Sequence, residues 1–285
     1  MHIQSFFDNA TFTVTYVVVN SDTRSCAVID PVLDFDAASG RTSYSSADRV
    51  IAYITGQGLR LEWILETHAH ADHLSAGSYI KSMLGGTLAI GAHIVDVQKI
   101  FTKVFNLKDS VAPDGSQFDI LFKHGDTFDI GGLAARVLHT PGHTPACVIY
   151  IIGDAAFVGD TLFMPDYGSA RADFPGGDAR TLYRSMRQIL ALPESTRIFT
   201  CHDYKAPGRA HFAWESTVSE QRRGNIHVRD GIGEEEFVAM RTARDKTLGM
   251  PHLILPSIQV NIRAGALPSP EDNGVSYLKL PVNAL

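Results

Sequence analysis

Six consecutive residues, His68-Ala69-His70-Ala71-Asp72-His73, carry three imidazoles and a carboxylate directly after the apolar run Trp63-Ile64-Leu65. That many ionisable groups beside an apolar strand cannot be buried unpaired. A metal ion resolves the conflict, because it turns the same lone pairs into ligands. Alternate residues of an extended segment point to one side, so His68 and His70 can converge on one point. Asp72 and His73 lie past the bend and aim at a neighbouring point. The alanines leave room for the backbone to turn. A loop rich in histidine by chance is the competing explanation, and the recurrence of candidate ligands at marked turns downstream opposes it.

Three further donors stand where strands end. His139-Thr140-Pro141-Gly142-His143-Thr144 closes one apolar segment and precedes another, with Pro and Gly making the turn. Asp160 follows Gly159 after a short apolar run, and His202 follows Arg197–Cys201. Donors held at several strand ends share a geometry that the sheets fix.

The elements that must position these residues are legible from spacing. Thr11–Val19, dense in Val, Thr and Tyr, reads as a strand covered on both faces, followed by a turn at 20–24 and a strand at Cys26–Ile29. The polar stretch Asp34–Ser46 is expected to be a surface loop. Ser45, three residues before Asp48, is expected to start a helix that carries Val50, Ile51 and Ile54. Leu61–Glu66 then delivers the histidine loop. Leu74–Leu84 and His93–Phe105 follow as helices around a strand at Thr87–Ile90, with His93 in a capping or surface role. Strands are expected at Phe118–Phe122, Thr127–Ile130, Leu133–His139, Cys147–Ile152 and Ala156–Val158, with a tight hairpin at Gly131-Gly132. Asp178 caps a helix with Leu182, Met186, Ile189 and Leu190 on one face. Arg197–Cys201 is the last expected strand. Helices and irregular chain follow, through 214–223, 234–244 and 253–262. This order fits an α+β fold, two sheets packed face to face with helices outside, as one domain over 1–285. A helical or irregular appendage starts at about residue 203.

Composition sets outer bounds. The 285 residues, 45% hydrophobic and 20% charged, are enough for a large core. A net charge of -6 argues against nucleic acid or an anionic membrane as partner. No apolar run approaches a membrane span, and the first ten residues lack the basic-then-apolar layout of a signal peptide. The three cysteines, Cys26, Cys147 and Cys201, form no CxxC pair and point to a reducing compartment, with the cytoplasm as the expected location. Cys147 and Cys201 read as buried strand residues.

Taken together, Thr67–His73, His143, Asp160 and His202 resemble the ligand pattern of the metallo-β-lactamase superfamily, whose fold is an αββα sandwich. Within it the chain is similar to the persulfide dioxygenases. The similarity runs through His139–Thr144, Gly159–Phe163, Arg171–Phe174, Thr181–Tyr183 and His202–Tyr204. This resemblance implies one ferrous iron, Fe(2+), per chain, held by His68, His143 and Asp160. Two imidazoles and a carboxylate on one face leave positions open for O2 and a sulfur donor. His70, Asp72, His73 and His202 then orient ligands and water from behind. The implied reaction oxidises glutathione persulfide with O2 and water to sulfite and glutathione. Arg171 and Tyr204 are expected to hold the glutathione moiety, with His227 standing where the animal enzymes carry a substrate arginine. The loop Lys205–Ala213 is longer than in that branch. A homodimer is implied as well.

The same ligand positions also serve a glyoxalase II-like thioester hydrolase. There His68, His70 and His143 would hold one metal and Asp72, His73 and His202 another, with Asp160 shared. The fold hosts both chemistries, so the site must decide.

Overall fold

The computed structural model describes residues 1–284. Its first half runs β1 (His2–Asp8), β2 (Thr13–Val19), β3 (Ser25–Ile29), β4 (Val32–Asp36), β5 (Arg41–Ser43), α1 (Ser45–Gly56), β6 (Arg60–Leu65), β7 (Leu74–Ser75), α2 (Gly77–Leu84), β8 (Thr87–Gly91), α3 (Ile94–Val104) and β9 (Ile120–Phe122). The second half runs β10 (Thr127–Ile130), β11 (Leu133–His139), β12 (Val148–Ile152), β13 (Ala155–Phe157), α4 (Ala179–Leu190), β14 (Arg197–Phe199) and β15 (Glu215–Thr217). It ends with α5 (Val218–Gly224), α6 (Glu234–Asp245) and α7 (Ile254–Asn261).

Two six-stranded sheets, ordered β1-β2-β3-β6-β8-β9 and β10-β11-β12-β13-β14-β15, make the core. Side-chain alternation assigns each residue to a layer. From β2, Val14, Tyr16 and Val18 enter the layer between the sheets, where they meet Val148, Tyr150 and Ile152 of β12. Val17 and Val19 face the other way, onto Val50 and Ile54 of α1 and Ile80 of α2. On the far side Ile149 packs on Leu182, Met186 and Ile189 of α4. The result is the expected α+β order of helix, sheet, sheet, helix. β2 is buried along its whole length, which explains its unbroken Val/Thr/Tyr run.

Several local expectations are corrected. β1 pairs with β2 over seven residues, although His2–Asp8 lacks clean alternation. The stretch read as a surface loop contains the hairpin β4–β5. Asp34 on β4, rather than Asp48, satisfies the start of α1, accepting from N and Oγ of Ser46 at 2.9 and 2.8 Å. Leu74-Ser75 pairs with β4, so α2 begins only at Gly77. The last strand is β15, which adds an edge to the second sheet. The segment after Asp203 is built into both layers. Val218 and Phe237 join the α4 cluster, and Ile258 and Val260 of α7 join the cluster of α1 to α3. The Gly131-Gly132 turn, the Asp178 cap and the buried free cysteines match expectation.

Candidate metal centre

β3, β6 and β8 are parallel, and so are β13 and β14. β11 runs the same way as β13, because each is antiparallel to β12. Their carboxyl ends deliver Asp30, the 66–73 loop, His143, Asp160 and His202 to a single edge of the sandwich. Hydrogen bonds tie the two sheets there. Val148 N donates to Thr67 O (2.9 Å), Tyr150 Oη to Glu66 O (2.8 Å), and Val14 N to Cys201 O (2.7 Å). Gly159 is needed for close approach. Its φ is +52°, and a Cβ there would lie 2.6 Å from Thr67 Oγ1.

Each histidine has one nitrogen engaged by the protein. His68 Nδ1 lies 3.0 Å from Thr67 Oγ1, and His70 Nε2 lies 3.0 Å from Asp30 Oδ1. His143 Nδ1 donates to Arg171 O at 2.8 Å. Thr13 Oγ1 serves two rings, 3.3 Å from Nδ1 of both His73 and His202. The opposite nitrogens of His68, His70, His73 and His202, and Oδ1 of Asp160, are buried with no hydrogen-bond partner. Orphaned buried atoms of this kind are rare. Their clustering fits a metal ion, with the engaged nitrogens fixing the ring angles.

The donors fall into two groups, each with its atoms within 4.8 Å of one another. One is His68, His143 and Asp160, and the other is His70, Asp72, His73 and His202. Asp160 Oδ2 is 3.8 Å from His68 Nε2 and 3.6 Å from His143 Nε2, beyond hydrogen-bond length. Its Oδ1 lies 3.5 Å from His202 Nε2 and so links the groups. Asp72 Oδ2 lies 3.2 Å from His202 Nε2 and accepts from Tyr204 Oη at 3.2 Å.

Electrostatics favours lone-pair donation at His68 and His73. Burial, reinforced by His70 and His143, pulls the His68 pKa well down. Burial and His70 likewise lower His73 to about 4. His70 behaves oppositely. Burial disfavours its charge, but Asp30 and Glu66 outweigh burial and raise its pKa well above the ordinary value. Of these two carboxylates, burial pushes Glu66 up. At Asp30, His70 and the two Thr67 donors overcome burial and hold the carboxyl low.

A cavity of about 360 Å³ opens over His143, Asp160 and Asp72. Phe12, Phe163, Tyr167 and Tyr204 form an aromatic wall, faced by Arg171, Arg241 and Arg244. Tyr204 lines the cavity, its ring stacked on His202, its pKa pushed well up by burial and Asp72. Arg171 also lines the cavity, but its guanidinium is forked onto Asp173 at 2.5 and 2.7 Å and donates to Gly249 O. His227 does not line the cavity. It is buried behind Ser169, whose N–H donates to its Nδ1 at 3.0 Å, and it packs against Gly168. Burial with Arg241 and Arg244 lowers its pKa to about 4.

Sequence spacing missed four contributors: Asp30, Glu66, Thr13 and Asn261. Asn261 Nδ2 donates to His70 O and His73 O, both at 2.8 Å, and its Oδ1 accepts from Ser75 N. It thereby clamps the histidine loop from a helix about 190 residues away. Arg244 was missed too, because an arginine on a charged helix looks like a solvated face.

The chain is similar to several known proteins. The chain is 56% identical to a probable metallo-hydrolase of Burkholderia pseudomallei, over the full length of both. It is 50% identical to glyoxylase B2 of Dictyostelium discoideum, covering 99% of this chain and 97% of that protein. It is 30% identical to human mitochondrial persulfide dioxygenase ETHE1, covering 92% and 88%. It spans 65% of the length of the beta-lactamase hydrolase-like proteins of Xylella fastidiosa and Agrobacterium fabrum that it also matches. The solved structure of ETHE1 from Myxococcus xanthus superposes with a TM-score of 0.75 at 29% identity, over 93% of this chain and all of that one. Among the described residues, no helix is long and apolar enough to cross a membrane. The family profile described as the metallo-beta-lactamase superfamily matches residues 8–202, and the chain belongs to that superfamily.

Proposed function

We propose that this protein is a persulfide dioxygenase, converting glutathione persulfide, O2 and water into glutathione, sulfite and two protons. The observation that carries this reading is how the two donor groups meet the cavity. His143 and Asp160 of the group with His68 line it, whereas only Asp72 of the other group does. Two imidazoles and one carboxylate beside an open cavity are the donor set of ferrous oxygenases. Ferrous iron held there by His68, His143 and Asp160 supplies the electron-transfer chemistry that lets O2 react with a sulfur anion.

The chain's own residues do the remainder. The aromatic wall excludes water from one side of the cavity. Arg244, with no ion pair among the described residues, offers a forked donor to a glutathione carboxylate. Tyr204 stays protonated and keeps a donor on Asp72. Asp30 and Thr13 hold the rings of His70, His73 and His202 in place. The 30% identity to human persulfide dioxygenase and the ETHE1 structure support the reading. In the same reading the protein works in the cytoplasm as a homodimer.

A second reading, a thioester hydrolase with two metals, is favoured by the unpartnered nitrogens of His70, His73 and His202 and by glyoxylase B2 at 50% identity. One experiment separates them. The protein is loaded anaerobically with ferrous iron, given glutathione persulfide, and followed for O2 uptake and sulfite. Stoichiometric O2 uptake with one iron per chain supports the dioxygenase. Two ions per chain, with fast cleavage of a glutathione thioester and no O2 uptake, overturns it.

A further inference from the structure

A second cavity, of about 600 Å³, shares no lining residue with the first. Its walls come from Ser78 of α2, the segment after α3 with Ser110 and Gln117, and the chain after α7 with Arg263 and Lys279. Arg263 is only 9% exposed, yet among the described residues no carboxylate lies within ion-pair distance of it. Its guanidinium donates to Gln259 O and to Ser110 Oγ (3.3 Å), both uncharged. Capping the last turn of α7 through Gln259 accounts for one of its five N–H donors. It does not account for a buried cation with no counter-charge, which is costly unless something anionic completes it. Burial alone acts on its pKa, downwards, with no acid opposing.

The surroundings are held firmly. Ile262 O accepts from Gln98 Nε2, and Ala264 O from Ser78 Oγ at 2.6 Å. Gln259 pins the later chain through a reciprocal pair, Nε2 to Lys279 O and Lys279 N to Oε1, both 2.9 Å. That pair brings a second cation to the cavity, the Lys279 ammonium, which donates to Asn106 O at 2.7 Å. Glu271 is the one carboxylate among the described lining residues, and it pairs with neither cation.

We propose that this cavity binds a small oxyanion, phosphate or carboxylate in type, held by Arg263 and Lys279. The proposal does not depend on which reaction the metal centre performs. The test uses the full metal-loaded chain, titrated with inorganic phosphate and separately with acetate at constant ionic strength. Binding is read by calorimetry and by the shift in Tm. A saturable response to at least one probe is expected, and the probe preferred tells a tetrahedral from a planar oxyanion. Arg263→Gln should weaken it about tenfold or more, as loss of a charge-assisted contact does. Lys279→Ala, at an exposed position, should weaken it several-fold, roughly as loss of one charge partner does, and Lys279→Arg should restore it. If Arg263→Gln does not fold, the two Lys279 variants decide. The proposal is overturned by the absence of a saturable response to either probe, or by a response that Lys279→Ala leaves unchanged. The latter result would put the anion at the metal centre instead.

Discussion

Asp30 Oδ1 lies 3.0 Å from His70 Nε2, and the backbone that holds it there has a φ of +49°. Asn tolerates that left-handed conformation nearly as well as Asp, so Asp30→Asn isolates the charge from the backbone. It should leave the chain folded and lower metal affinity by about 10–100-fold, because Asp30 also accepts from Thr67 Oγ1, the atom that stands 3.0 Å from Nδ1 of the proposed ligand His68. Competition with a chelator of known affinity reads this directly, and unchanged affinity would remove Asp30 from the metal centre's support.

Asp160→Ala removes the carboxylate that stands between the donor groups. The variant should keep its circular dichroism but retain no iron after anaerobic desalting, with turnover lost. Wild-type iron occupancy would sink the assignment of Asp160 as ligand.

Asn261→Ala leaves His70 O, His73 O and Ser75 N without their partner in a buried loop. At about 1–3 kcal/mol for each unsatisfied group, partly relieved by entering water, the expected loss is roughly 3 kcal/mol. Urea unfolding measures it. Metal release should also quicken, because the loop carries His68, His70, Asp72 and His73. A stable variant with normal metal retention would show that the loop holds itself.

Arg244 and Arg171 both line the first cavity, but only Arg171 is already forked onto a carboxylate. Arg244→Ala should raise KM for a glutathione-derived substrate about tenfold with little change in kcat, since uniform binding is what it supplies. Its Tm should stay at the wild-type value. Arg171→Ala should instead lower Tm, by loss of the Asp173 and Gly249 contacts. The reverse pattern in steady-state kinetics and melting would exchange their roles.

His227 ties stability to pH. Its folded pKa is lowered from 6.5 to about 4 by burial and by Arg241 and Arg244. Below about pH 6.5 the unfolded chain takes up a proton that the folded chain refuses. The contribution is therefore complete above 6.5 and lost as pH falls toward 4, amounting to about 3 kcal/mol. Urea midpoints across this window should fall less steeply for His227→Asn than for the parent. Equal slopes would mean that the ring titrates normally.

Much of this is legible in the sequence, and the reason is local. HxHxDH, the Gly-marked turns before His143 and Asp160, and the unbroken apolar run of β2 are short-range patterns, and each lies where it was expected. What escaped depends on distant contacts. Ile29-Asp30-Pro31 looks like an ordinary turn, and its role appears only when β3 lies beside β6. Asn261 sits among Val260 and Ile262 with nothing nearby to mark it. The arginines of α6 resemble a solvated face until the helix closes over the cavity. β1 and the β4–β5 hairpin were missed because a neighbouring strand, rather than alternation of their own, makes them strands.

The placement of α7 bears on how the protein is made. Ile254, Ile258, Val260 and Ile262 complete the hydrophobic layer shared by α1, α2 and α3, although they are synthesised some 150 residues after α3. On the ribosome the first half therefore emerges with that layer unfinished and the histidine loop without its Asn261 clamp. It must stay in a partly formed, sticky state until the closing helix arrives.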